Sequence, residues 1–308
     1  MDEGLSVNEV AAPAVLWLGE PACHDAALVG GKAAQLSRLA SHHPVPNAFC
    51  ITTSAYAGYR LGDAMPAEVA DEVVQAYESL SRREGQGSGA KEPLSVAVRS
   101  SAVGEDGVAA SFAGQHATHL NVRGPDALLG AVEDVWRSTL TDSALAYRRD
   151  KGMAAAPVAV AVLVQRLVAC DVSGVVFSID PVAMDERRVV VSASWGLGES
   201  LMGGSINPDR WVIDKESLGV VEQTVGDKEM MTIAREAGTR EVKTPQFLRQ
   251  QQSLTGDEVR QVAALAVELE RMLGQPVDVE FAFEGGRPLL LQCRPVTSLD
   301  AAPLEVRP

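Results

Sequence analysis

Two stretches of this sequence put charge where the surrounding pattern calls for a dry interior. In VAVRSSAVGEDGVAASFAGQ, Val96 to Gln115, an apolar strand runs straight into Arg99, Ser100 and Ser101. A guanidinium buried there needs an anion. The second stretch is the strand pair PVDVEFAF and PLLLQCRPV. In it Val277, Val279, Phe281 and Phe283 alternate with Asp278, Glu280 and Ala282, while Leu289, Leu291 and Cys293 alternate with Gln292 and Arg294. At a period of two residues, one face is apolar and the other carries chemistry. A plain two-residue Gly285-Gly286 turn would set Glu280 opposite Leu291. A three-residue loop, or a bulge of equal effect, sets Glu280 opposite Gln292 and Asp278 opposite Arg294, and this is the arrangement we expect.

Glu280 and Gln292 then offer oxygen ligands on adjacent strands with no imidazole or thiolate beside them, which suits a hard cation such as magnesium. Magnesium commonly arrives with phosphates. Arg294 on the same face, Arg99 at a strand end, Lys32 at an expected helix N-terminus, and the SFAGQ loop with Ser111 and Gly114 are the cations and amides that a nucleotide polyphosphate needs. Plainer roles exist for each. Arg99 could pair with Glu105 or Asp106, Lys32 could be a solvated helix-start lysine, and Glu280 with Gln292 could be an ordinary solvent-facing sheet surface. Asp278 could simply orient Arg294, and Glu199 could be a second ligand or a phosphate-side residue, or could serve solubility. His116 and His119 read as structural. The chemical reading of the cations and the metal pair outweighs the plain one because they fall together.

The elements that must position these residues follow from periodicity and end signals. VGGKAAQLSRLA places two glycines and Lys32 directly before an amphipathic helix, and VPNAFCITTSAYAGYR reads as a strand followed by a Ser/Thr-capped helix. EGQGSGAKEP is a flexible surface loop. A helix is expected within Ala127–Tyr147, then valine-rich strands at PVAVAVLVQRLV, GVVFSIDP, RVVVSAS and RWVID. WGLGESLMGGSINPD, with four glycines, suits a loop closing on a ligand. Thr255 to Glu258 matches a capping box opening a helix through Leu273 that stops at Gly274 and Pro276. No internal repeat is apparent.

At 308 residues, 46% of them hydrophobic, the chain can bury a sizeable core in two domains or one two-lobed domain. Its formal net charge of -14 argues against nucleic acid and anionic membranes as partners. Cys23, Cys50, Cys170 and Cys293 form no C-x-x-C and read as reduced core thiols. The acidic start of the chain lacks a signal peptide's basic region, and no apolar run nears the roughly 18 residues that span a bilayer. We expect a cytoplasmic location.

The segments GGKAAQLSRL, VPNAFCITT, VAVRSSAVGEDGVAASFAGQ, LNVRG, GVVFSIDP, WGLGESLMGGSINPD, DVEFAF and LLLQCRPVT, in this order, resemble the N-terminal nucleotide-binding domain of the phosphoenolpyruvate synthase, pyruvate phosphate dikinase and rifampicin phosphotransferase family. The resemblance covers nearly the whole chain. It implies an α+β ATP-grasp fold whose two lobes, residues 1–170 and 171–308, clamp ATP. It further implies that Lys32 and Arg99 bind the ATP phosphates, Glu280 and Gln292 hold Mg2+, Arg294 steadies the phosphates, and Gln165, Leu167 and Val168 of the QRLV hinge face adenine. In that family a histidine on a separate swivelling domain takes a pyrophosphoryl group from ATP, releases AMP, loses phosphate and carries the remaining phosphoryl group to a distant acceptor site. The family's carrier segment is Gly-rich, with Thr or Ser before the histidine. None of His24, His42, His43, His116 and His119 has those surroundings. The expectation is therefore a free-standing ATP-using subunit or a piece of a longer polypeptide, with the carrier-histidine domain and the acceptor-binding domain as partners in trans. A self-sufficient ATP-grasp small-molecule kinase and a non-catalytic ATP-binding regulatory subunit are the alternatives.

Overall fold

The computed structural model describes residues 13–57, 59–60, 62, 64–86, 92–103, 117–141 and 160–296. Ser111, Gly114 and the rest of the SFAGQ loop, with Glu105, Asp106 and His116, lie outside the described residues.

Short valine-rich segments assemble into two antiparallel sheets. The first is five-stranded, in the order β1-β2-β5-β3-β4, from β1 (Val15–Trp17), β2 (Ala48–Ile51), β3 (Ser95–Ala102), β4 (Thr118–Arg123) and β5 (Val160–Arg166). The second is six-stranded, in the order β13-β12-β6-β7-β8-β9. It is built from β6 (Val172–Phe177), β7 (Arg188–Trp195), β8 (Asp209–Asp214), β9 (Val220–Thr224), β12 (Val277–Glu284) and β13 (Arg287–Pro295). A separate hairpin, β10 (Met230–Ala234) with β11 (Thr239–Lys243), stands apart from both. The helices are α1 (Ala26–Leu39), α2 (Thr53–Ala57), α3 (Ala67–Arg83), α4 (Pro125–Ser138), α5 (Glu199–Met202), α6 (Gln246–Arg249) and α7 (Gly256–Leu273).

Strand alternation sorts the first sheet into two faces. Val96, Val98, Val160, Val162 and Val164 pack against Val73, Tyr77 and Leu80 of α3 and Leu128, Val132, Val135 and Trp136 of α4. The opposite face, with Cys50, Ala161 and Leu163, meets Val29, Ala33 and Leu36 of α1. That cluster runs on without a break into Val176, Val191, Phe281 and Leu290 of the second sheet and Val262 and Leu269 of α7. One apolar core therefore joins both sheets through α1.

Local signals explain the element ends. The Thr255 hydroxyl accepts from the Glu258 amide while the Glu258 carboxylate accepts from the Thr255 amide, and Gly274 closes α7 in the left-handed conformation, as the sequence indicates. Helix α1 begins earlier than expected, at Ala26, where the Asp25 side chain accepts from the Ala27 amide. It then breaks at Gly30, whose φ of 75° and ψ of 168° are non-helical. A Cβ at Gly30 would stand 2.1 Å from the Ser101 carbonyl oxygen, so only glycine lets α1 approach β3 this closely. Lys32 thus opens the segment after the break. The Gly-rich segment after Trp195 is not wholly loop: it holds α5, and Gly196 and Leu197 bridge to Thr232 of β10.

Candidate nucleotide site

The site begins at the Gly285-Gly286 turn. Both glycines have positive φ, 59° and 76°, the requirement of a tight two-residue hairpin turn. Glu284 pairs with Arg287 and Phe281 with Leu290, but beyond that point Glu280 pairs with Gln292 and Asp278 with Arg294. The shift is a bulge at Leu291, so the turn is two residues long and the bulge restores the polar face. The bulge also matters chemically. The Leu291 carbonyl faces the first sheet and accepts from Arg99 Nη1 at 3.5 Å.

Arg99 reaches this face from β3. Its Nη2 donates to Glu280 Oε2 at 2.5 Å, and both side chains are 15% exposed. The ion pair joins the two sheets. Burial alone would raise the Glu280 carboxyl, but Arg99, with Lys32 and Arg294 nearby, outweighs it and holds the group below the usual carboxylate range. Lys32 donates from Nζ to the Ser100 carbonyl at 3.0 Å, and the Ser101 hydroxyl accepts from the Ala33 amide at 3.0 Å. Ser101 thereby caps the helix segment that follows the Gly30 break, while the Ser100 hydroxyl is buried with no hydrogen-bond partner.

Asp278 is buried and lies beside this centre. Its Oδ2 accepts from Arg294 Nε at 2.9 Å and Nη2 at 2.7 Å. Burial raises its carboxyl, Arg294 pulls it back, and Glu280 adds to the rise. Its Oδ1 is buried with no hydrogen-bond partner. Gln292, opposite Glu280, is also buried. An orphaned carboxylate oxygen, a second carboxylate and an amide oxygen, with no nitrogen or sulfur ligand in the set, fit Mg2+ that brings its own phosphate oxygens and waters. Among the described residues, no group of three or more His, Cys, Asp or Glu side chains could hold a metal alone.

A cavity of about 500 Å³ lies along the same face of the first sheet. Ser95, on the Arg99 side of β3, lines it, as do Leu167 and Val168 beyond the end of β5, Trp195 at the end of β7, and Met231 and Ile233 of β10. Leu163 pairs with Arg99, and from Leu163 to Leu167 is about 13 Å at the rise of an extended strand. An apolar pocket and a cluster of cations are thus aligned on one path, a length that a nucleoside triphosphate spans. Gln165 lies on this same face, between Leu163 and Leu167. Paired with Ala48 and Ala97, it is almost wholly buried, and its Nε2 has no partner. Glu199 is exposed at the first turn of α5.

The sequence matches the family described as pyruvate phosphate dikinase, AMP/ATP-binding domain, over residues 60–306. The chain belongs to this family. A probable phosphoenolpyruvate synthase of Methanocaldococcus jannaschii is 32% identical, over 92% of this chain and 27% of its own length. One from Pyrococcus abyssi is 38% identical, over 76% of this chain and 29% of its own. The chain thus spans less than a third of either relative. Among solved structures, a D-alanine–D-alanine ligase of Bacillus anthracis aligns with 91% of this chain and 58% of its own at 9% identity and a TM-score of 0.37. The α+β class expected from the sequence is the one observed. No helix of the described residues is long and apolar enough to cross a membrane.

Proposed function

We propose that this chain is the ATP-binding module of a dikinase-type phosphotransferase: an ATP-grasp clamp, with lobes at 1–170 and 171–308, that passes the pyrophosphoryl group of ATP to a carrier histidine on a separate domain or subunit and releases AMP, in the cytoplasm. The observation that carries this reading is the Arg99–Glu280 pair between the sheets, within a chain of the pyruvate phosphate dikinase nucleotide-binding family. An arginine and a carboxylate that neutralise each other when the site is empty are the pair that phosphate and metal together would separate.

On this reading Leu167 and Val168 seat the adenine in the apolar cavity, and Lys32, Arg99 and Arg294 face the phosphates. Asp278 orients Arg294, and Glu280 with Gln292 would hold Mg2+, which supplies charge neutralisation at the phosphate oxygens. Positioning and charge stabilisation are most of what phosphoryl transfer asks of a protein. The carrier imidazole nitrogen forms the new bond to the β-phosphorus as the bond from that phosphorus to the α–β bridging oxygen breaks, and the electron pair leaves with AMP. Water then attacks the terminal phosphorus, the bond from that phosphorus to the β–γ bridging oxygen breaks, phosphate departs, and the carrier delivers the remaining phosphoryl group to a separate acceptor-binding domain.

The test mixes this chain with a carrier-histidine domain and ATP labelled in the β-phosphate. AMP and an acid-labile phosphohistidine retaining the label support the proposal. ADP as the stoichiometric product, with a small molecule phosphorylated by this chain alone, would overturn it in favour of a self-sufficient kinase.

A further inference from the structure

The wall of the apolar cavity formed by β10 is not part of either large sheet, so something must hold it in place. At its base, Leu197 donates to the Thr232 carbonyl at 2.9 Å and the Ser200 and Thr232 hydroxyls meet at 2.5 Å. These contacts tie the hairpin to the second sheet's side of the molecule. Its tip, Arg235 to Gly238, reaches across to the first sheet and bonds Asn121 of β4.

Asn121 is 1% exposed and uses its whole amide. Nδ2 donates to the Arg235 carbonyl at 2.5 Å and the Gly238 carbonyl at 2.6 Å. Oδ1 accepts from the Ser95 hydroxyl at 2.7 Å and from Arg123 Nε at 2.9 Å. Its backbone carbonyl accepts from the Gly238 amide at 3.3 Å. Asparagine offers two donors and two acceptor lone pairs, and here none is idle. The backbone is adapted to the task. Between the pairs Val96–Val122 and Val98–His119, two β4 residues, Leu120 and Asn121, oppose Ala97 alone. This is a bulge, and Asn121 has a φ of 56°, a conformation asparagine tolerates better than other residues with side chains except aspartate. Two of the groups that Asn121 engages, Ser95 and Arg123, themselves line the cavity opposite Met231 and Ile233.

We propose that Asn121 is a positioning residue for nucleoside binding: it pins the tip of the β10–β11 strap to the first sheet and so fixes the cavity wall against which the base packs, without touching the phosphates. This rests on the nucleotide reading above. An apolar cavity binds well only when its walls are held at the right spacing before the ligand arrives, because ordering a loose wall is charged against affinity. The charged cluster at Arg99 and Glu280 is built from other strands, so its hold on phosphate should not depend on the strap.

The discriminating experiment compares two probes, each with magnesium: ATP, which would fill both cavity and charged cluster, and inorganic tripolyphosphate, which would fill only the cluster. Asn121→Gly keeps the left-handed backbone accessible, and Asn121→Asp keeps the shape but replaces both donors by an acceptor facing two carbonyls. Both variants are checked for an unchanged circular dichroism spectrum. With two hydrogen bonds to the strap gone, ATP affinity should fall about tenfold or more, tripolyphosphate affinity should stay within about twofold, and hydrogen exchange should quicken across residues 230–243. Unchanged ATP affinity with unchanged exchange overturns the inference, as do equal losses for both probes, which would mean a merely structural role. If Asn121→Asp does not fold, Asn121→Gly alone decides between these outcomes. Failure of the wild-type chain to bind either probe overturns the nucleotide reading and this inference with it. Binding of both by the wild type, with no difference in the variants, overturns this inference alone.

Discussion

The Arg99–Glu280 pair permits a prediction that separates its energetic role from its functional one. In the ligand-free protein, Glu280→Gln leaves the Arg99 guanidinium 15% exposed with the Leu291 carbonyl at 3.5 Å as a remaining acceptor. Removing one partner of a buried pair costs 3–5 kcal/mol, and partial solvent access puts this site at about 3 kcal/mol. Arg99→Met should cost less, about 2 kcal/mol, because Lys32 and Arg294 still act on the Glu280 carboxylate. The double variant buries neither charge alone, so its loss should fall short of the summed losses by about 2 kcal/mol. Urea unfolding of the four proteins at pH 7.5, with constant slope, gives this coupling directly. The cycle is then repeated in saturating Mg-ATP. If Arg99 turns to phosphate and Glu280 to the metal, the two no longer depend on each other and the coupling should drop below about 0.5 kcal/mol. A ligand-free coupling already that small would refute the claim that the pair joins the sheets. A coupling that survives Mg-ATP unchanged would refute the exchange of partners.

Three further outcomes follow from the same geometry. Acid should expose the sign of the Glu280 shift: its folded value is depressed, so its contribution is present above the unfolded carboxyl value of about 4.3 and is lost as pH falls through the folded value. The stability gap between wild type and Glu280→Gln, followed by urea unfolding, should therefore be flat from pH 7 to about 5 and close only below that. Gly30→Ala should destabilise the protein and weaken ATP binding together, since the new Cβ meets the Ser101 carbonyl and Lys32 sits just beyond the break; a thermal melt with an unchanged midpoint would contradict the account of α1. Lys228→Met should cost about 3–5 kcal/mol in urea unfolding, because it leaves the fully buried Asp209 carboxylate without the cation bonded to it at 2.6 Å.

The sequence disclosed those parts of the structure that depend on period and punctuation. Alternation placed Asp278, Glu280, Gln292 and Arg294 on one face, and the demand that the faces agree required a bulge or a longer loop. Which of the two occurs depends on the positive φ of both turn glycines, and that is a property of three-dimensional closure. The capping box of α7 was readable because its partners are three residues apart. By contrast, Arg99 finds Glu280 across 181 positions of sequence, and nothing local in VAVRSS names that partner; the nearby acids Glu105 and Asp106 were the readable alternatives. Ser101 capping a helix near Ala33 is hidden for the same reason. Helix α3 has well-separated exposed and buried faces, but its start is marked by Pro66 without a Ser/Thr cap, so no end signal in the sequence announces it. Lys228, in a sequence window that looks exposed, is entirely buried because Asp209 and the Gly226 carbonyl wait for it.

The unbroken core through α1 has a mechanical consequence. Two jaws on a free hinge need a seam that parts cleanly, whereas here Val29, Ala33 and Leu36 share one apolar cluster with β5 on one side and Phe281 and Leu290 on the other. The molecule is better compared to a book bound along α1. Its leaves are also held by polar ties: Arg99 to Glu280, Asn121 to the strap, and Arg166 gripping Glu284 at 2.7 and 2.9 Å. Polar ties can be exchanged for water or ligand at modest cost, while the apolar spine cannot. Cutting the chain between Arg166 and Val172 to obtain separate leaves would therefore strip the binding from both, and neither half should be expected to stand by itself.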